Sequence, residues 1–131
     1  MPYELATIGN IRSPLTDRKN APRQPDDGAP SAWLEIDPKY RDALLGMAVG
    51  DEIIVLTWLH EARRETLQVH PRRILNAPLT GVFATRSPDR PNPIGIHEVK
   101  ILEIEGTRIR VDAIECIDGT PVLDLKAVLC P

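Results

Sequence analysis

The segment 81–95 constrains the possible folds of this chain more than any other. Its first five residues, 81–85, are mostly apolar or β-branched, which predicts a buried strand. The eight residues that follow cannot continue this strand, because Pro88, Pro91 and Pro93 lack a backbone donor and have fixed φ angles. Each proline also favours extended geometry in the residue before it. We therefore expect a stiff, extended loop after the strand.

The same loop carries two arginines and an asparagine, at Arg86, Arg90 and Asn92. A preorganised pair of guanidinium groups suits an anionic or planar partner, because each group offers a forked set of donors. We expect Arg90 to point outward and Arg86 to support the local structure. The simpler interpretation is a surface turn whose arginines pair with nearby acids such as Asp89.

The rest of the chain is rich in short β-type runs. The longest apolar run, 52–60, predicts a central strand that is buried on both faces. Thirteen prolines in 131 residues argue against long helices. Further strands are predicted at 3–11, 32–36, 67–69, 96–104, 107–117 and 122–128, with a hairpin turn at Glu105 and Gly106.

One helix has a clear start signal. Asp37 is a good N-cap, and Pro38 suits the first helical position. We expect this helix to end at Gly46 or Gly50. Its apolar face is predicted to consist of Tyr40, Ala43, Leu44 and Met47.

The fold class follows from this balance of elements. No Gly-x-Gly-x-x-Gly pattern follows a strand, so a Rossmann nucleotide site is not supported. The chain is predicted to be a single domain, 1–131, of mainly β class: an antiparallel barrel or sandwich with one or two short helices. A small barrel fits best because closure protects the strand edges.

The net charge, the cysteines and the histidines narrow the range of possible functions. The net charge is −3, so a role in RNA binding requires a local basic patch. Cys116 and Cys130 form no Cys-x-x-Cys pair, and the histidines lack metal-ligand spacing; we expect a reducing cytoplasm and no metal. No signal peptide or membrane span is predicted. The candidate patch, which could equally be a solvated surface, contains Arg63, Arg64, His70, Arg72, Arg73, Arg86 and Arg90.

The turn 118–121 is the other polar candidate. Its Gly119 is expected to have a positive φ angle, with Pro121 stiffening the entry into the last strand. Asp124 and Lys126 share one face of that strand. These acids either bind a polar or cationic ligand, or form a solvent-facing pair and an Asx-turn.

Four segments, 8–14, 22–25, 81–95 and 118–126, together resemble the TsaA/TrmO family of tRNA methyltransferases. The resemblance implies a small β-barrel that forms homodimers and uses S-adenosylmethionine as methyl donor. It also implies methylation of N6 of threonylcarbamoyladenosine at position 37 of tRNA, next to the anticodon.

The resemblance also implies site residues. It leaves three candidates for the general base: His60, Glu61 and Asp124. The donor would be bound by Gln24, Pro25, His60, Glu61, Arg86, Ile96, Asp118, Gly119, Thr120 and Pro121. The acceptor would be bound by Arg86, Arg90, Asn92, Arg72 and Arg73.

Two other functions remain open from the sequence. The chain could methylate another small molecule or nucleic acid, or it could be a non-catalytic dimeric module that binds the donor. The long loop 15–31 has few apolar residues, so we expect it to complete a pocket at a subunit boundary.

Overall fold

The computed structural model describes residues 2–16, 29–71 and 77–129. Within these ranges the chain forms eight strands and two short 3-10 helices. The strands are β1 (Gly9–Arg12), β2 (Ala32–Ile36), β3 (Glu52–Trp58), β4 (Gln68–Val69), β5 (Thr80–Gly81), β6 (Ile94–Glu105), β7 (Arg108–Val111) and β8 (Pro121–Ala127). The helices are Pro38–Leu44 and Val82–Ala84. The predicted mainly β class is confirmed.

Six of these strands form a closed barrel in the order β1-β2-β7-β6-β3-β8, and β4 pairs with β5 as a separate ribbon. All the ladders are antiparallel. The ring closes where Gly9 of β1 pairs with Val122 of β8. Closure leaves no unpaired edge along these strands, in line with the reason for expecting a barrel.

The core fills the barrel because alternate residues of each strand point inward. Along β6, for example, the residues from Gly95 to Ile101 alternate between buried and exposed. The buried apolar residues are mostly aliphatic: Ile11, Ala32, Leu34, Ile36, Ile53, Val55, Val99, Ile101, Ile109, Val111, Ile114, Cys116 and Val122.

The central strand β3 differs from the prediction in two respects. It ends at Trp58 instead of residue 60, and only one of its faces is fully buried. Ile54, Leu56 and Trp58 are half-buried, because in a barrel of this size only the inward face meets the core.

The predicted strand at 81–85 is wrong. The chain leaves β5 at Gly81 and turns at once into the Val82–Ala84 helix. The turn is fixed by side chains, since Thr85 Oγ1 donates to the Val82 carbonyl at 2.9 Å and accepts from Ser87 N at 3.1 Å. Such local bonds compete with a strand ladder. Val82 is buried, whereas Phe83 is 83% exposed.

Other boundaries also moved. The first strand covers only Gly9–Arg12, and the predicted strand 107–117 ends at Val111. Glu105 pairs with Arg108, so the hairpin loop is 106–107, one residue later than predicted. Gly106 has a φ angle of 61°, which a glycine adopts at little cost.

The predicted helix start is confirmed, but the helix is of the 3-10 type. Asp37 Oδ1 accepts a hydrogen bond from Lys39 N at 3.0 Å, and Pro38 occupies the first position. Tyr40 and Leu44 pack against the core together with Met47 beyond the helix. Ala43, the fourth residue of the predicted apolar face, is exposed. In the part of the chain that the structure describes, no helix has the length and apolar character of a membrane span.

Candidate functional site

One end of the barrel gathers the segments that carry the candidate residues. Strand β3 ends at Trp58, and its neighbours β6 and β8 begin at Ile94 and Pro121. Because these neighbours run antiparallel to β3, the segments 59–64, 86–93 and 118–121 all attach at the same end, which we call the site end. The fold therefore brings together three of the candidate segments.

Segment 59–64 docks directly on the proline-rich loop. Leu59 N donates to the Pro93 carbonyl at 2.8 Å. Arg63 is bonded on both sides of its backbone: its carbonyl accepts from Arg90 N at 2.9 Å, and its N–H donates to Asp89 Oδ1 at 2.8 Å. The two segments are thus fixed against each other by backbone hydrogen bonds.

Arg64 strengthens the same contact through its side chain. Its Nε donates to the Pro91 carbonyl at 2.8 Å, and a terminal nitrogen donates to Asn92 Oδ1 at 3.2 Å. The guanidinium also lies over the Trp58 ring, 5.0 Å from its centroid. The side-chain oxygen of Asn92, a predicted substrate ligand, is therefore engaged within the protein.

The two arginines of the loop have the opposite orientation to the prediction. Arg90 does not point outward: its guanidinium donates to three carbonyls of its own loop, those of Val82 at 2.7 Å and of Thr85 and Ser87 at 3.2 Å. The 3-10 turn makes this possible by directing these carbonyls toward one point. Arg86 is exposed, and its side chain has no hydrogen bond or ion pair with any described residue.

The turn 118–121 is fastened to the end of β1. Asp118 Oδ1 accepts a hydrogen bond from Ser13 N at 3.0 Å, and Gly119 N donates to the Ile11 carbonyl at 2.7 Å. The φ angle of Gly119 is 85°, which confirms the predicted positive value. Thr120 is buried and donates to the Ile117 carbonyl at 2.7 Å. This geometry gives the turn a structural role.

A charged pair flanks this turn. Arg12 Nε donates to Glu35 Oε1 at 2.8 Å, and an Arg12 terminal nitrogen lies 3.8 Å from Asp118 Oδ2. The hydrogen bond and charge of Glu35, and then the charge of Asp118, raise the pKa of Arg12. Asp118 therefore shares its carboxylate between a backbone N–H group and an exposed guanidinium.

Ile96 and Asp124 lie on the outside of the barrel, in one row. Leu56 of β3 is paired with Ile96 of β6 on one side and with Asp124 of β8 on the other. Ile96 is 44% exposed. Asp124 Oδ2 lies 3.2 Å from Lys126 Nζ, which confirms that these two side chains share a face. We call the outer surface formed by Leu56, Trp58, Ile94 and Ile96 the apolar wall.

The candidate bases at the end of β3 are accessible. His60 and Glu61 are both exposed. The His60 ring makes no hydrogen bond to any residue within 2–16, 29–71 or 77–129. Gln24 and Pro25, together with Arg72 and Arg73, lie outside the described residues.

Sequence reasoning did not identify a polar cluster inside the barrel. His97 contacts Thr57 on β3 as well as Glu115 and Cys116 in the segment before the turn. The available signal was a histidine at an inward position of an alternating strand. Burial, and next the charge of Glu115, raise the pKa of the Cys116 thiol well above its usual range, so this thiol is a poor nucleophile.

An open hollow among the described residues lies at the other end of the barrel. Its volume is about 350 Å³, and Leu44, Leu45, Met47 and Ile109 contribute to its lining. None of the candidate residues in the described part of the chain lines it. No group of three or more His, Cys, Asp or Glu side chains in the described ranges is arranged to hold a metal ion.

These features define a small antiparallel barrel whose site end carries an imidazole, carboxylates and an exposed guanidinium beside an apolar outer wall. The family model of the tRNA-methyltransferase O N-terminal domain matches residues 10–130. The chain belongs to this family.

Individual relatives agree with this assignment. A "Probable S-adenosyl-L-methionine-binding protein" from Methanothermobacter thermautotrophicus is 40% identical over 96% of this chain and 90% of its own length. An "S-adenosyl-L-methionine-binding protein" from Archaeoglobus fulgidus is 40% identical over 93% of this chain and 86% of its own length.

A solved structure matches as well. The crystal structure of TrmO from Pseudomonas aeruginosa has a TM-score of 0.75 and 33% identity over 98% of this chain. The match covers 57% of the Pseudomonas chain, so the present chain spans little more than half of that protein.

Proposed function

We propose that the chain binds S-adenosylmethionine and transfers its methyl group to N6 of threonylcarbamoyladenosine at position 37 of tRNA. The observation that carries this proposal is the convergence of three motif segments, 59–64, 86–93 and 118–121, at one end of the barrel. We further propose that residues 1–131 form one domain that acts in the cytoplasm, where its tRNA substrate is found.

The apolar wall and its neighbouring carboxylate fit the donor. Ile96 and Leu56 offer an apolar surface to a planar base, and Asp124 lies beside them to attract a cationic sulfonium. Gln24, Pro25 and the turn 118–121 would complete the binding site. Bound S-adenosylmethionine supplies an activated methyl carbon, so the protein mainly has to align it with the acceptor.

The same wall supports the proposal of a homodimer. Ile94 and Ile96 are 43% and 44% exposed, and Phe83 nearby in the chain is 83% exposed. A pocket that contains Ile96 cannot be enclosed by its own barrel, because this side chain points away from the core. A second copy of the chain would cover the wall and enclose the donor between the two subunits.

We assign the general base to His60. The acceptor nitrogen belongs to a urea-like group, which is a weak nucleophile until its proton leaves. The ring of His60 has no hydrogen-bond partner among the described residues, whereas Lys126 holds Asp124. Glu61, the neighbouring carboxylate, remains the alternative base at this end of the barrel.

Arg86 is the best-placed residue to bind the acceptor. Its guanidinium is exposed on a stiff loop, which suits the carboxylate of the modified base or an adjacent phosphate. Arg90 acts through the loop that it braces. Arg72, Arg73 and the amide nitrogen of Asn92 would extend the contact to the tRNA, as the local basic patch that an acidic protein needs.

The proposal is tested with labelled S-adenosylmethionine and total tRNA that contains threonylcarbamoyladenosine but lacks the methyl group at its N6. The wild-type protein is expected to transfer label to N6 of the modified adenosine. His60→Ala should slow transfer by about 10²–10⁴-fold, the usual contribution of a general base. Absence of label in tRNA, with donor binding intact, would overturn the proposed acceptor.

The names of the archaeal relatives favour one further candidate. Both are described only as proteins that bind S-adenosylmethionine. This candidate is a dimeric module that binds the donor without catalysis. It would show donor binding in calorimetry but no transfer of label to any acceptor. A methyltransferase with another acceptor would instead label a small molecule or another RNA in a cell extract.

A further inference from the structure

A buried polar cluster lies inside the barrel, close to the points where the site segments leave the strands. His97 Nε2 is 2.8 Å from Thr57 Oγ1, and His97 Nδ1 is 2.6 Å from Glu115 Oε1. Cys116 Sγ is 3.2 Å from His97 Nε2. The exposed fraction of His97 is 4%, and that of Thr57 is 0%. None of these side chains has a role in the proposed reaction.

Each partner in the cluster lies shortly before or after a site segment. Thr57 is near the end of β3, just before segment 59–64. His97 follows the proline-rich loop on β6, and Glu115 precedes the turn 118–121. One imidazole ring therefore joins the three pieces of chain from which the site segments extend.

The bond to Glu115 matters because residues 112–118 form no strand. This segment is held by backbone bonds near its two ends, from Ile114 N to the Pro30 carbonyl at 3.1 Å and from Asp118 N to the Leu15 carbonyl at 2.6 Å. Between these points, the contacts of Glu115 and Cys116 with His97 fix the segment to the barrel wall.

The chemistry of the cluster determines which atom donates. An ionised carboxylate only accepts hydrogen bonds, so His97 Nδ1 donates to Glu115. In the neutral ring Nε2 is then the acceptor, within reach of both the Thr57 hydroxyl at 2.8 Å and the Cys116 thiol at 3.2 Å. Glu115 Oε2 is buried without a hydrogen-bond partner in the described part of the chain, so Oε1 alone directs this carboxylate.

The backbone of β6 leaves no spare room around these hydrogen bonds. A Cβ atom on Gly95 would lie 2.5 Å from Thr57 Oγ1 and 2.7 Å from His97 Nε2. Both distances are far below van der Waals contact. The backbone of β6 therefore approaches the Thr57–His97 bond closely enough that only glycine fits beside it.

We propose that His97, with Thr57 and Glu115, is a positioning residue that holds the three site segments in register. The effect on donor affinity rests on the proposed function, whereas the effect on the segments does not. None of its side chains belongs to the proposed donor or acceptor sites, and the cluster acts through the backbone of residues 59–64, 86–93 and 118–121.

Two substitutions at one position separate positioning from stability. Thr57→Val keeps the side-chain volume and removes the hydroxyl, and Thr57→Ser keeps the hydroxyl and removes a methyl group. We measure amide hydrogen exchange by NMR on the free protein at Leu59 and Gly119, whose N–H groups bond to Pro93 and Ile11. Donor affinity is measured by calorimetry with S-adenosylmethionine.

Thr57→Val should speed exchange at both amides by about tenfold and lower the affinity for S-adenosylmethionine by a similar factor. Effects of this size are expected when one buried hydrogen bond is lost. Thr57→Ser should stay within about twofold in both measurements, although its buried methyl group is lost. Two results would overturn the positioning role. One is that the change in amide exchange in both variants equals the change in global stability, and the other is that exchange at the two amides is unchanged in Thr57→Val. Lack of donor binding by the wild type contradicts the proposed function and leaves the exchange result decisive for His97.

Discussion

The two outer walls of the barrel are built on opposite plans. On the wall formed by β1, β2 and β7, the charged side chains have partners: Arg12 Nε donates to Glu35 Oε1 at 2.8 Å, and the Arg108 guanidinium lies 4.3 Å from the centroid of the Trp33 ring. Arg110, on the same wall, lies 3.5 Å from Glu103 Oε1. We call this surface the charged wall. Because its charged side chains have partners within the protein, this wall is suited to contact with water.

The apolar wall on β3 and β6 presents Ile94 and Ile96 to solvent. The interiors also differ. Behind the charged wall the core is aliphatic, with Leu34 and Ile109, whereas behind the apolar wall it contains His97. The charged wall is thus suited to contact with water, whereas the apolar wall is the surface that the proposed ligand and second subunit would cover.

The largest expected effect comes from a charge on the apolar wall. Ile96→Glu should weaken the proposed dimer about a hundredfold, or ~2.7 kcal/mol, because the symmetry places an unpaired carboxylate in the interface twice. Sedimentation velocity across a concentration series measures the change.

The control is Leu102→Glu, which introduces the same carboxylate about 20 Å further along β6. This position lies beside Glu103, the partner of Arg110. It should leave the dimer intact. A wild-type monomer at micromolar concentration, or equal loss of the dimer in both variants, would contradict the assigned interface.

The next effect concerns the loop at the edge of the apolar wall. Arg90→Ala should lower the free energy of unfolding by about 2 kcal/mol, because three loop carbonyls lose a charged donor. Arg86→Ala should change it by less than about 0.5 kcal/mol, as for most surface substitutions, and should weaken tRNA binding instead. Urea unfolding and filter binding measure the two quantities. Similar stability of both variants would show that Arg90 does not brace the loop.

The polar interior behind the apolar wall predicts a pH dependence. The raised pKa of Cys116 keeps its proton in the folded state, while the unfolded thiol loses its proton above about pH 8.5. The unfolded state then binds fewer protons, so stability should fall as pH rises, by up to about 1.4 kcal/mol per pH unit. Cys116→Ala should remove this part of the slope between pH 8.5 and 10. Parallel slopes for the two proteins would contradict the prediction.

The smallest effect is expected on the charged wall. Glu35→Gln keeps the shape of the side chain and weakens its pair with Arg12, which should barely change the free energy of unfolding because exposed ion pairs contribute little. Donor affinity should not change. A loss of donor affinity in this variant would mean that the charged wall also belongs to the site.

Local patterns in the sequence were sufficient to predict several elements. The β-rich run at 96–104 indicated β6, and the Asp37–Pro38 pair marked the start of a helix. The Asp-Gly pair at 118–119 predicted the positive φ angle of Gly119. These features depend on neighbouring residues, so the sequence was enough.

Features that depend on distant pairing were not predictable. The direction of Arg90 depends on a 3-10 turn that the β-type composition of 81–85 concealed. The outward position of Ile96 depends on the register between β3 and β6. The contact of His97 with Glu115 requires a non-strand segment to cross the inside of the wall. None of these follows from periodicity alone.

The central claim is that the donor binds at the site end, against the apolar wall. NMR titration of the labelled protein with S-adenosylmethionine tests it directly. We expect the amides of Leu56, Ile96 and residues 118–120 to shift, while residues 33–35 and 108–110 of the charged wall do not. Shifts confined to the charged wall, or to the hollow beside Leu45, would contradict it.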